Sequence, residues 1–188
     1  MNLMRIQTAL SSLLAFTFLL LFGSSLFATT YNYSFTFKGK RHSLSLDLDS
    51  RIIKHYNSKT HYWPTSLKAY PAQAREDAGY EYITDIANQI ERQATNAGYS
   101  GWDLVQYTTA FVQNLQYQAE RQEYVKYPIE TLKDKGGDCE DTAILLAALI
   151  NEMGYDAILV HAPGHMMTAI ACSNCSGATL DYKGKDYV

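Results

Sequence analysis

The stretch Gly136-Gly137-Asp138-Cys139-Glu140-Asp141 leads directly into eight apolar residues, Ala143 to Ile150, and this constrains the chain more than any other feature. An unbroken apolar run of that length suits a buried strand or a buried helix equally well. Its flanks separate the two. Asp138 suits an N-cap, Glu140 and Asp141 suit a first helical turn, and Gly154 suits the position just past a helix end. Three Ala and three Leu within the run also favour helix. The pattern predicts a helix from Cys139 to Met153, apolar on most sides and therefore central to the core.

A cysteine in the first turn of such a helix has a chemical consequence. The positive end of the helix dipole stabilises a thiolate, and the free N–H groups there can receive an oxyanion. Asp138, Glu140 and Asp141 act against the first effect, because nearby negative charge raises a thiol pKa. A neighbouring imidazolium is then needed to activate the sulfur. Cys139 is either a nucleophile or an ordinary small buried residue. The Gly-Gly-Asp before it favours the nucleophile, since glycines let backbone approach a substrate closely.

Nearly half of the 188 residues are apolar and only 19% are charged, which describes a folded globular protein. The formal charge is −3 with no basic patch, so nucleic acid is excluded as an expected partner. Residues 1–28 read as an export signal: Arg5 is the only charge, Ala9 to Phe27 is mostly apolar, and Ser24 to Ala28 offers a cleavage site. The other reading is an uncleaved anchor that attaches the chain to a membrane. Both place the domain outside the cytoplasm, whether secreted, periplasmic or anchored facing outward. In such a compartment Cys172 and Cys175 suit a disulfide, which leaves Cys139 as the free thiol.

Residues 29–70 are expected to form a β-hairpin followed by an irregular segment. Tyr31, Tyr33, Phe35 and Phe37 alternate, Lys38-Gly39-Lys40 turns, and Leu44, Leu46 and Leu48 alternate again. The hairpin reads as a lid on the core, and residues 50 to 70 as irregular and aromatic-rich. Ile83, Ile86, Ala87, Ile90, Ala94 and Ala97 keep helical spacing up to Gly98. Ser100 is expected to cap a second helix whose core face is Leu104, Thr108, Phe111, Val112 and Leu115. Gln118 to Tyr127 reads as a loop, and Pro128 opens a short helix. After the cysteine helix, Ala157 to Val160 and His165 to Cys172 read as strands about an Ala162-Pro163-Gly164 turn. Thr179 to Tyr182 and Asp186 to Val188 form a last hairpin. The sum is α+β, helices followed by an antiparallel sheet.

Tyr127-Pro128-Ile129-Glu130-Thr131-Leu132, the run Gly136 to Leu145, and Pro163-Gly164-His165-Met166 together resemble the transglutaminase-like superfamily, and most closely its bacterial and archaeal cysteine-peptidase-like members. Phe111 to Tyr117 resembles the helix that precedes the cysteine in that group. The likeness covers residues 75 to 188, with the cysteine motif as its most specific part. It implies a papain-like core over residues 71–188, with Cys139 as nucleophile and His165 as general base. His161, before the Pro-Gly turn, is the competing base. Gln113 or Gln116 could donate to the oxyanion. In the family an acid orients the histidine from a neighbouring strand, in a motif that follows the last tyrosine-rich strand. The likeness therefore places that acid past Val188 in a longer chain, and Asp181 is the only substitute within this one. The activity implied is acyl transfer on a peptide or glutamine amide through a thioester, with hydrolysis favoured over cross-linking and no cofactor. The partner implied is a protein or peptide substrate.

Two other readings stand beside this one. A transglutaminase-like domain whose catalysis is lost could bind or scaffold envelope proteins. His161, His165, Cys172 and Cys175 also have spacing suited to a structural zinc site.

Overall fold

The computed structural model describes residues 27–59, 61, 70–119, 124–173 and 177–188. The leader up to residue 26, and Cys175, lie outside the described residues.

Strands β1 (Ala28–Phe37) and β2 (Lys40–Asp49) form the expected hairpin, paired from Ala28 opposite Asp49 to Phe37 opposite Lys40. Lys38 and Gly39 both have positive φ, the signature of a two-residue turn whose twist matches that of the strands. Period-two alternation puts Tyr33, Phe35, Phe37, Leu44, Leu46 and Leu48 on one buried face. Each such side chain contributes about 1.5–3 kcal/mol on leaving water. This face shares one hydrophobic cluster with Phe111, Leu145 and Ile150, so the hairpin is a wall of the core. The Tyr33 hydroxyl also donates to the Leu132 carbonyl at 2.8 Å.

The segment after the hairpin is helical where irregular chain was expected. Helix α1 (Ser50–Asn57) starts because the Asp49 carboxylate accepts the Arg51 N–H at 2.8 Å. Tyr56 is fully buried from this helix, with half-buried Ile52 and Ile53 against the same core. Asp49 also ends an alternating strand, so its cap is masked in the sequence by the strand pattern. A short helix, α2, covers Tyr70–Gln73.

Helix α3 (Ile83–Asn96) buries Ile83, Ile86, Ala87, Ile90 and Ala94. No side chain at its own N-cap closes it; instead the Glu76 carboxylate accepts the N–H groups of Tyr82 and Ile83. Helix α4 (Trp102–Gln113) buries Leu104, Val105, Thr108, Phe111 and Val112. Gly101, not Ser100, holds its N-cap position, with φ near 57°. Ser100 contributes only its carbonyl, to the Asp103 N–H.

The chain then makes a two-residue strand, β3 (Gln116–Tyr117), which pairs in parallel with β4 (Gly136–Gly137). Between them, helix α5 (Pro128–Asp134) begins with Pro128 and a capping box in which Glu130 accepts the Tyr127 N–H at 2.9 Å. The buried Glu130 also accepts from the Tyr124 hydroxyl at 2.9 Å and faces His61 Nε2 at 2.8 Å.

Helix α6 (Cys139–Glu152) is buried along its whole apolar run. Strands β5 (Ala157–Ala162) and β6 (His165–Ile170) pair antiparallel about Pro163-Gly164. β5 thus extends two residues beyond the sequence expectation, because Ala162 pairs with His165. Strands β7 (Leu180–Tyr182) and β8 (Lys185–Tyr187) form the last hairpin. Tyr187 bridges to Ala171, while Ile170 and Val188 exchange both backbone hydrogen bonds at 2.8 and 3.0 Å. β6 therefore lies between β5 and the chain leaving β8. Thr168 Oγ1 donates to the Ala143 carbonyl at 2.8 Å and fixes β6 against α6. The architecture is α+β, with α6 at the centre and the start of β6 beside the start of α6.

Candidate active site

Cys139 is set in place by the elements before and after it. Its N-terminal turn is closed by a reciprocal capping box: Asp138 Oδ1 accepts the Asp141 N–H at 3.5 Å, and Asp141 Oδ2 accepts the Asp138 N–H at 3.3 Å. Asp141 is fully buried, and its other oxygen accepts the Lys126 N–H at 2.7 Å. The Lys126 ammonium is buried too, 3.9 Å from Asp141 and 3.7 Å from Asp134, and it donates to Gln118 Oε1 and the Gly136 carbonyl. A buried carboxylate needs such compensation.

The two glycines serve this packing. A Cβ on Gly137 would lie 2.5 Å from the Asp141 side chain, and one on Gly136 would run into the Gln116 carbonyl. Their smallness lets β4 reach β3 and lets Asp141 close the cap. The close approach that these glycines allow in the structure is to the Gln116 carbonyl and the Asp141 cap.

The thiol is half-buried, and its hydrogen goes to Glu140 Oε2 at 3.0 Å. Glu140 is itself buried. Burial pushes the Cys139 thiol above its ordinary pKa, and the Glu140 hydrogen bond pushes the same way. A bond from the Met166 N–H pulls it down, while the charges of Glu140 and Asp138 raise it further. The resting thiol is therefore held protonated, and the helix dipole alone does not win. Of the three acids expected to oppose the helix dipole, Glu140 and Asp138 act on the thiol in that direction.

Met166, whose backbone amide lowers the thiol pKa, follows His165 in β6. Cys139 and His165 line one cavity of about 830 Å³, with Gly137, Thr142, Gln113 and Met166. Gln116, the other oxyanion candidate, lies in β3 and does not line it. Among the described residues, the Cys139 N–H donates to no protein acceptor.

The remaining candidates lie elsewhere. His161 pairs with Met166 across β5 and β6 but lines a second cavity, with Glu152 and Tyr182. Asp181 lies exposed on β7, paired with Asp186, and does not line the cavity of Cys139. Cys172 is disulfide-bonded and Cys139 is free. The disulfide takes Cys172 out of the proposed zinc set, and the two histidines of that set face different cavities. Sequence reasoning missed Glu140 as the thiol's partner and Lys126 as the buried counter-charge. The only sequence signal for Glu140 was its adjacency to Cys139, and Lys126 gave none, since a lysine in a polar stretch reads as solvated.

No family model, no curated protein and no solved structure matches this chain.

Proposed function

We propose that the chain is an exported cysteine-dependent acyl-transfer enzyme with a papain-like arrangement, more a peptidase than a cross-linking enzyme. The observation that carries this reading is a free cysteine at the start of a buried helix, in one cavity with a histidine. The leader-like N-terminus supports export, and the disulfide at Cys172 fits an oxidising compartment.

In the proposed mechanism the thiol turns from Glu140 toward His165, whose imidazole takes its proton. An imidazole suits this better than a carboxylate: ordinary pKa values of about 6.5 and 4.3 put the imidazole about two units nearer to a thiol. The thiolate attacks the amide carbonyl, and the oxyanion is received by the Cys139 N–H, with the Gln113 side chain as second donor. Collapse breaks the C–N bond, the imidazolium gives its proton to the departing amine, and a thioester remains on Cys139. Water, deprotonated by His165, then attacks the thioester and releases a carboxylic acid and the thiol. An amine in place of water gives a new amide. Asp181 does not line the cavity of Cys139, so in this reading it is not the acid that orients His165.

The test is peptide mapping after treatment with iodoacetamide, comparing the chain with His165→Ala and His161→Ala. The proposal expects modification of Cys139, slowed by the first substitution and not by the second. Modification indifferent to His165 overturns the enzyme reading and leaves a binding or scaffold domain.

A further inference from the structure

We infer that the cavity holding Cys139 is an elongated cleft for an extended peptide with apolar side chains next to the bond that reacts. This inference rests on the acyl-transfer reading and names its substrate class. Trp102, Gln106, Thr109 and Gln113 all line the cavity, and their three- and four-residue spacing places them on one face of α4. The wall therefore runs from Trp102 to Gln113, about 16 Å at 1.5 Å per residue. The Cys139 end is the Gln113 end, because β3 follows α4 directly and pairs with the glycines just before Cys139. A wall of that length matches about five residues of extended chain on one side of the sulfur.

The lining is mainly apolar with a few uncharged polar groups. From α4 come Trp102, Val105, Ala110 and Val112, with Gln106, Thr109 and Gln113 among them as donors and acceptors suited to a peptide backbone. From α6 and β6 come Leu146, Met166 and Ile170, with Thr142 and Thr168. Apart from His165, the one ionisable side chain with a formal charge on the lining is Lys38, and Asp103 already pairs it at 2.6 Å. Away from the Glu140 carboxylate beside Cys139, a charged substrate side chain entering here would lose water and gain no counter-charge from the lining. An apolar one gains burial.

The rim repeats the preference. Tyr117 is 69% exposed and Met167 40% exposed, and both line this same cavity, on β3 and β6 respectively. Single exposed apolar residues are ordinary. Two on the lining of one cleft that holds a free cysteine form an apolar entrance, and Tyr and Met are residue types that suit adaptable contacts with peptides.

The test uses two peptidyl acyloxymethyl ketones of equal length, one carrying Leu and Phe and one carrying Glu and Lys, with iodoacetamide as the reagent that reports the thiol alone. The inference expects the apolar probe to label Cys139 about tenfold faster or more, relative to the charged probe. In Tyr117→Ser and Met167→Ser the ratio of the apolar-probe rate to the iodoacetamide rate should fall several-fold. Equal rates for the two probes, with iodoacetamide still modifying Cys139 in a His165-dependent way, overturn the inference and leave the acyl-transfer reading standing. Iodoacetamide modification that ignores His165 removes the reading and the inference together.

Discussion

The Cys139 thiol donates to Glu140 Oε2 at 3.0 Å, so the residue next to the candidate nucleophile holds its proton at rest. Glu140 and Asp138 from its own helix start act on the sulfur, His165 of β6 lines the same cavity, and Asp141 pairs with Lys126. Two carboxylates and burial outweigh the Met166 N–H. Alkylation of Cys139 should therefore rise with pH along a curve displaced above the ordinary free-cysteine region near about 8.5. Glu140→Gln removes a raising charge, so its curve should move down in pH and its rate at neutral pH should increase. A profile unchanged by Glu140→Gln would show that Glu140 does not govern the thiol.

Asp141 and Lys126 form a buried ion pair that also carries the helix cap. Breaking such a pair costs about 3–5 kcal/mol, because one charge is left buried without its partner. Asp141→Ala should fall in that range, since it leaves Lys126 buried and opens the capping box as well. Lys126→Met should cost less than Asp141→Ala, because Asp141 keeps the N–H groups of Lys126 and Asp138 as donors. Urea denaturation of both variants checks the order; Lys126→Met as the worse of the two would refute it.

Gly137→Ala should disturb the site without touching its chemistry. The added methyl meets the Asp141 side chain at 2.5 Å, and that side chain is fully buried and held by its cap bonds. Overpacking of this kind costs about 1–3 kcal/mol. Thermal melting should show the loss, and Cys139 labelling should change with it because the cap orients the first turn of α6. A melting temperature equal to that of the unmodified chain would mean that β4 yields more easily than its pairing with β3 suggests.

The final hairpin is tied to β5 through Asp156, which accepts from Lys185 Nζ at 2.5 Å and from the Tyr187 hydroxyl at 3.0 Å. The Lys185 hydrogen bond, with Tyr187 second, holds the Asp156 carboxyl below its ordinary value. A depressed folded pKa gives stabilisation that is present above the unfolded value of about 3.9 and is lost as pH falls through the lower folded value. The pair is exposed, so salt screens it and the effect is local. The protection of the Ile170 and Val188 amides against exchange, relative to the unfolded chain at the same pH, should fall below about pH 4 and in Asp156→Asn at neutral pH. Exchange insensitive to Asp156→Asn would place the anchoring in the backbone bonds alone.

Much of this arrangement was legible in the chain because it rests on local rules. Asp138, the apolar run and Gly154 gave α6 to within one residue, and period-two alternation gave β1 and β2. His165 was separable from His161 only through the family resemblance; the structure adds that they line different cavities. What escaped depends on long-range partners. Nothing near Glu76 in sequence says that it caps α3, and nothing near Lys126 says that it lies buried against Asp141. The pairing of β3 with β4 spans twenty residues and only two positions, too short for any periodicity to register.

The central claim is that Cys139 carries an acyl group during turnover. The direct measurement is the intact mass of the chain, followed by peptide mapping, after brief exposure to an activated acyl donor such as p-nitrophenyl acetate at neutral pH. The account predicts one acetyl group per chain on Cys139, removed by hydroxylamine as a thioester is, absent in Cys139→Ala and formed more slowly in His165→Ala. Acetylation spread over surface lysines, with Cys139 unmodified, would contradict it.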